Sequence, residues 1–207
     1  DRGSGRVDGF RFRDALMNLS KYLYYHHDGI TIYCGDCREI LPHLGPVDLV
    51  LTDPPYGVEF KGKCTKHTTR RTDGYTIEDS KDVGPKIVME CLNMTDRCIV
   101  FPGTRNMFSY PTPDDVGCIY CPSGAGIGRW GFTCFHPVLF YGKRPSSQLQ
   151  PSSLQSFHTA HRNGHPCPKP IEWIRWALKI GGTEEDTILD PFMGSGTTLV
   201  AAKQLRR

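Results

Sequence analysis

The chain has 207 residues, 38% hydrophobic and 23% charged, with a formal net charge of +3. That is enough apolar material to bury one sizeable core, and the length favours one compact domain over two. No run approaches the roughly 18 apolar residues of a membrane span, and "DRGSGRVDGFRFRDALMN" lacks the apolar centre of a signal peptide, so a cytoplasmic setting is expected. The chain begins at Asp1 and stops at "KQLRR", which reads as a piece of a longer reading frame or a processed product.

In chain order, the leader over residues 1–23 is expected to be partly disordered or helical, with a short helix around Phe12 to Tyr24. "GITIYCGD" then reads as a strand and turn, and "CREILPHL" as a short helix. "VDLVLTD" is a continuous apolar run of the kind buried on both faces of a parallel sheet. In "SKDVGPKIVMECLNMT" the residues Val83, Ile87, Val88, Cys91 and Leu92 keep helical spacing and lead to the strand "RCIVFPG". Strand, helix, strand is the parallel crossover unit. "VGCIYC" and "HPVLFYGK" read as two more strands. "RPSSQLQPSSLQSFHTAHRNG" has no period and reads as irregular. "KPIEWIRWALKIGG" is a helix with Pro170 in its first turn and Gly181-Gly182 as its stop. "DTILD" closes as a strand, "PFMGSG" as a tight loop and "TTLVAAKQLRR" as a helix. Residues 24–207 are expected to form one domain.

Nine cysteines raise the question of a zinc site. The pairs Cys34/Cys37 and Cys118/Cys121 both start in strand-like runs, where residues three apart point to opposite faces, so reduced core thiols are the expected state. His158, His161 and His165 fall in irregular chain with no ligand geometry to support a metal. "GAGIGRWG" has dinucleotide-like glycine spacing at Gly126, Gly128 and Gly131, but it opens no helix and reads as a loop.

Three stretches carry chemistry. "DPFMGSGTT" puts an acid, a glycine turn and a helix start after a strand. Gly194 and Gly196 let backbone approach a ligand, the helix-start amides favour an anionic group, and Asp190 can accept from an ammonium or hydroxyl. That combination fits a zwitterionic or nucleotide-like cofactor. "DPPY" ends a buried strand on Asp53 and then stiffens the backbone. The following stretch carries Lys61, Lys63, Lys66, Arg70 and Arg71 against Glu59 and Asp73, a local basic loop able to reach a phosphate backbone. "HPCPKP" leads rigidly into a helix, with His165 and Lys169 able to face a cofactor.

In this order, "DPPY" at 53–56, "HPCPKP" at 165–170 and "DPFMGSGTT" at 190–198 resemble the S-adenosylmethionine-dependent DNA amino-methyltransferases. The resemblance is to the permuted (beta) class, in which the catalytic motif precedes the cofactor motif, and it runs from about Tyr24 to Arg207. It implies an α/β Rossmann-like methyltransferase fold, with a mostly parallel, doubly wound and circularly permuted sheet. The family's next strand, which ends in an acid on the cofactor ribose, would fall after Arg207. It implies S-adenosylmethionine as cofactor, with Asp190, Phe192, Gly194, Ser195, Gly196 and Thr197 around its methionine part. His165 and Lys169 would lie on the same cofactor, and Asp36 and Cys37 against its adenine.

The resemblance also implies that Asp53, Pro54, Pro55 and Tyr56 are catalytic. An exocyclic base amine is a poor nucleophile because its lone pair is delocalised into the ring, so two acceptors should hold its N–H bonds. The Asp53 carboxylate and Pro54 carbonyl can supply them, with the Pro-Pro step fixing φ. Tyr56 offers a stacking face for a base extruded from the duplex. Double-stranded DNA is the implied partner; a homodimer and a cognate restriction endonuclease, in a bacterial or phage-infected cell, stay open. Asp at the head of the motif leans toward adenine N6 over cytosine N4. The span between "FYGKRP" and "HPCPKP" leaves no room for a separate target-recognition domain, so sequence specificity would come from the 57–82 loop, the Gly124 to Thr133 loop, a partner subunit, or nowhere. The competing reading is a truncated, catalytically inactive remnant that binds DNA.

Overall fold

The computed structural model describes residues 19–56, 81–122, 126–127, 130–145, 151–156 and 169–207. Residues group into two compact units, 1–46 and 47–207.

In the first unit, β1 (Leu23–His27) and β2 (Ile30–Tyr33) form an antiparallel hairpin with His27 opposite Ile30. The two residues between them, Asp28 and Gly29, both have positive φ, at 51° and 71°. Asp-Gly is the dipeptide that such a mirror-image turn favours, because its twist matches that of the strands. The helix expected to reach Tyr24 therefore stops short. Leu23 and Tyr24 are in the strand, where aromatic residues next to a hairpin turn gain cross-strand pairing. The helix α1 (Cys37–Ile40) follows, capped by the Asp36 carboxylate, which accepts from the Arg38 amide at 2.9 Å. It runs into a 3-10 turn at Leu41–His43, with Pro42 at its start. Cys34 is exposed, so it is not the core thiol that the sequence implied.

The second unit is built on a six-stranded sheet. Its elements in chain order are β3 (Leu49–Thr52), α2 (Val83–Leu92), β4 (Arg97–Val100), β5 (Asp115–Tyr120), β6 (Gly126–Ile127), β7 (Phe132–Thr133), β8 (Phe135–Gly142), β9 (Ser153–Gln155), α3 (Ile171–Gly181), β10 (Ile188–Leu189) and α4 (Thr197–Gln204). The strand order is β10-β3-β4-β8-β5-β9. β10, β3 and β4 run parallel, as do β5 and β9, while β8 runs against both its neighbours, so the sheet is mixed.

All four residues of β3 are buried, as a central strand covered on both faces requires. Leu49 and Leu51 share one core cluster with Ile99, Phe101, Ile119 and Val138 of the sheet and with Trp173, Ile174, Ala177 and Leu178 of α3. Side chains alternate along a strand, so Val50, Cys98 and Val100 face the other side, where α2 packs with Ile87, Val88 and Cys91 buried. Helices therefore cover both faces, as expected of a doubly wound fold. Glycine sets the spacing of α3: a Cβ on Gly181 would lie 2.4 Å from Ile99 Cδ1. At the amino end of β4, Arg97 holds Asp186 with two guanidinium nitrogens, at 2.9 and 3.0 Å, and also donates to the Gly181 carbonyl at 2.8 Å.

Two stretches differ from their reading. The glycine-rich segment expected to be a loop contains β6 and β7, an antiparallel pair with Gly126 opposite Thr133. The segment expected to be irregular contains β9, an edge strand on β5 with Cys118 opposite Ser153. Edge pairing here rests on backbone contacts. Gly117 permits them, since a Cβ there would meet the Ser152 carbonyl at 1.9 Å.

Candidate active site

Asp53 follows directly on β3 and Asp190 directly on β10, at the carboxyl ends of adjacent parallel strands. Ligands of open α/β sheets bind at this edge, because strand ends and the loops after them converge there. Thr52, buried as the last residue of β3, donates its hydroxyl to Asp190 Oδ1 at 2.9 Å. The two motifs are 137 residues apart in sequence, and this hydrogen bond ties the residue just before Asp53 to the second motif.

Asp190 also accepts from the Phe192 amide at 3.1 Å. Burial pushes its carboxyl up to about 6; the hydroxyls of Thr198 and Thr52 and the Phe192 amide pull it down, and the nearby Asp53 charge adds to the rise. Gly194 and Gly196 both sit at positive φ, 55° and 80°. Gly196 caps α4, and a Cβ on it would meet none of the described residues within 4 Å, so they leave the space in front of the turn open. Gly194 and Ser195 are exposed, and Ser195 Oγ lies 3.3 Å from Thr197 Oγ1. An open, positively tilted helix start beside a carboxylate suits a ligand carrying both an anionic and a cationic group. The residues present thus fit the methionine end of S-adenosylmethionine.

At the end of β3, Pro54 is buried, and Gly84 in the first turn of α2 makes room for it. A Cβ on Gly84 would lie 2.8 Å from Pro54 Cβ and clash with the Tyr110 hydroxyl. Tyr56 folds back so that its hydroxyl donates to Asp53 Oδ1. Its ring lies against Gly103, whose φ is +70° and where an added Cβ would meet the ring at 2.9 Å. Lys169 completes the cluster. Its Nζ donates to Asp53 Oδ2 at 2.5 Å and to the Tyr56 hydroxyl at 2.6 Å, and stands 5.0 Å from the Tyr56 ring centroid. The Lys169 side chain is 7% exposed and the Asp53 side chain 27%, so this is a largely buried ion pair.

Of the residues read from the sequence, the structure therefore groups Asp53, Pro54, Tyr56 and Lys169, with Pro55 between them half-buried, and sets the loop from Asp190 to Thr197 beside them through Thr52. Lys169 faces Asp53 and Tyr56. Asp36 and Cys37 belong to the first unit, where the Arg38 guanidinium paired with Asp36 at 2.6 Å holds that carboxyl below its usual range. His165 and the basic residues Lys61, Lys63, Lys66, Arg70 and Arg71 lie outside the described residues.

Sequence reasoning missed Thr52, Gly103 and His136. Thr52 and Gly103 had a signal available: each adjoins the carboxyl end of an apolar run, the edge where sites form. His136, on β8, packs its ring 4.7 Å from that of Trp173. Burial, and then the positive charge of Lys169, push it down to about 4, with Asp53 acting the other way. It is neutral at physiological pH. Trp173 is in turn fixed by donating to Ser156 Oγ at 2.8 Å.

A sequence family described as DNA methylase (N6_N4_Mtase) matches residues 130–207. Type II methyltransferase M.HindIII of Haemophilus influenzae is 46% identical over 43 residues, which are 21% of this chain and 14% of that protein. Two solved structures share the fold. PvuII DNA methyltransferase (cytosine-N4-specific) superposes with a TM-score of 0.64 at 16% identity, covering 90% of this chain and 82% of that one. The M1.HpyAVI-SAM complex superposes with a TM-score of 0.56 at 18% identity, covering 84% and 88%.

Proposed function

We propose that this chain, whose residues 130–207 match the DNA N6/N4 methylase family and whose fold is that of the Rossmann-like methyltransferases, methylates the N6 amine of adenine in DNA. The observation that carries the reading is the placing of two strand-end acids, Asp53 and Asp190, at the carboxyl ends of adjacent parallel strands, with Thr52 beside Asp53 donating its hydroxyl to Asp190. One motif suits an amine substrate and the other a zwitterionic cofactor, and a transfer needs both within reach of each other.

S-adenosylmethionine, when bound, supplies an electrophilic methyl group. Asp190 would hold its ammonium, and the Gly194–Gly196 turn and the first amides of α4 its carboxylate. Asp53 and the Pro54 carbonyl would accept the two N–H bonds of the target amine, which favours a more tetrahedral nitrogen with its lone pair free of the ring. Pro54, wedged against Gly84, keeps that carbonyl from drifting. Tyr56 would stack on a base extruded from the helix, because the amine cannot reach the sheet edge while paired. Holding amine and methyl donor together removes the entropic cost of their encounter.

Asp at the head of the catalytic motif favours adenine. The fold shared with a cytosine-N4-specific enzyme is the observation behind the second reading, since cytosine presents a comparable amine to the same acceptors. The test is to incubate the protein with S-adenosylmethionine and unmethylated duplex DNA, digest to nucleosides and analyse by mass spectrometry. N6-methyladenine is expected. N4-methylcytosine would select the second reading, and neither product would overturn both.

A further inference from the structure

Lys169 occupies two of the groups that the proposed reaction assigns to the target base, the Asp53 carboxylate and the face of Tyr56. Its Nζ takes the Asp53 carboxylate at 2.5 Å, the acceptor meant for the exocyclic amine. It also hydrogen-bonds the Tyr56 hydroxyl at 2.6 Å and stands 5.0 Å from the centroid of the ring on which the base would stack. An ammonium is a tetrahedral nitrogen with N–H donors, the same shape and polarity that the catalytic motif would impose on the amine. We propose that Lys169 is a stand-in for the target amine: it fills the base site in the free protein and is displaced when a base enters. The inference rests on the methyl-transfer reading above and adds to it how the empty site is kept closed.

Two physical arguments favour displacement over retention. The amine acquires positive charge as it takes the methyl group. An ammonium retained on the same carboxylate would repel that charge in a poorly solvated pocket, where screening is weak. Without Lys169 the Asp53 carboxylate in the free protein would keep the neutral Tyr56 hydroxyl but lose its counter-charge, leaving a largely buried charge unpaired, so a cation is favoured there until the amine arrives. A lysine suits both demands: its ammonium is a point charge on a flexible four-carbon stem, which can change rotamer while the backbone stays in place.

The sign of a binding change tests this. A lysine that contacts phosphate loses affinity for nucleic acid when neutralised; a lysine that blocks the base site gains it. Fluorescence anisotropy would be measured for wild type, Lys169→Met and Lys169→Arg on single-stranded oligodeoxyadenylate and oligodeoxycytidylate, with an abasic strand of equal length as control. Lys169→Met is expected to bind at least one of the two base-bearing strands about tenfold tighter, the scale of one charge-assisted hydrogen bond. The abasic strand should show no gain, and Lys169→Arg should restore wild-type affinity. Unchanged or weaker binding of both base-bearing strands by a folded Lys169→Met protein overturns the proposal. Where that variant does not fold, the wild-type protein decides. The ammonium protons of ¹⁵N-labelled Lys169, shielded in the free state, should become exchangeable on adding the strand that binds, and their persistence overturns the proposal. Tighter base binding without any methyl transfer would leave Lys169 as a stand-in and remove the enzyme reading. Methyl transfer without the gain would do the reverse.

Discussion

The ends of β3 and β10 carry the same side chain in the same fold position, yet they are chemically opposite. Asp53 is held by an ammonium and a phenol, in a largely buried ion pair. Among the described residues Asp190 has only neutral donors, the Thr52 and Thr198 hydroxyls and the Phe192 amide, and burial pushes it up to about 6. The difference teaches how one sheet edge can serve two ligands. The acid already paired with an ammonium is suited to hand that partner's place to another amine, whereas the acid without a cation is suited to recruit one. The cationic group of a cofactor would supply what Asp190 lacks.

The comparison breaks most visibly if Asp190 is removed. Asp190→Ala should weaken S-adenosylmethionine binding about a hundredfold in calorimetry, the scale of a buried charged hydrogen bond lost to its partner. Loss of a few-fold only would mean that the acid recruits no cation.

A subtler change sharpens it through pH. The folded state raises Asp190 above its ordinary 3.8, so the folded protein keeps the proton longer than the unfolded chain. Stability from this group is therefore intact below about pH 4, falls between about 4 and 6, and stays lower above that. Without cofactor, Asp190→Asn should be more stable than wild type by roughly 3 kcal/mol at pH 8 and close to it near pH 4, read from thermal unfolding at the two pH values. Binding has the converse sign. Affinity of wild type for the cofactor should fall as pH drops through 6, by about tenfold per unit well below it, while Asp190→Asn stays flat.

Gly103→Ala tests the Asp53 side. The substitution forces a side chain into positive φ and against the Tyr56 ring, so it should cost about 1–2 kcal/mol of stability and lower methyl transfer through a displaced Tyr56, with cofactor affinity unchanged. Equal transfer rates would mean that the position of Tyr56 does not matter. The smallest effect is expected at Trp130, which is fully exposed: Trp130→Ala should shift the unfolding free energy by less than about 0.5 kcal/mol.

Much of this arrangement was legible because its signals are local. The apolar run of β3 announces a buried central strand and ends at Asp53; the helical spacing of Ile171 to Leu178 announces α3; the glycine pair before Thr197 announces a tight turn into α4. What stayed hidden depends on approach over distance. The pairing of Lys169 with Asp53 spans 116 residues and arises only because the lead-in to α3 meets the end of β3. Nothing in the pattern of "HPCPKP" separates a lysine aimed at a cofactor from one aimed at a carboxylate. β9 was hidden for a related reason: an edge strand among serines and glutamines owes its conformation to the backbone of β5. The β1–β2 hairpin, in contrast, had its Asp-Gly turn in plain view, and the helical reading of the leader overrode it.

If Asp53 acts on the substrate amine while Asp190 acts on the cofactor, removing Asp53 must separate binding from transfer. Asp53→Ala protein is titrated with S-adenosylmethionine and then assayed for transfer of labelled methyl groups to DNA. Cofactor affinity is expected within about twofold of wild type and the transfer rate reduced by about a hundred- to a thousandfold, the scale for removing one preorganised transition-state contact. Transfer at the wild-type rate, or loss of cofactor binding with transfer falling only in proportion, would contradict that division of roles.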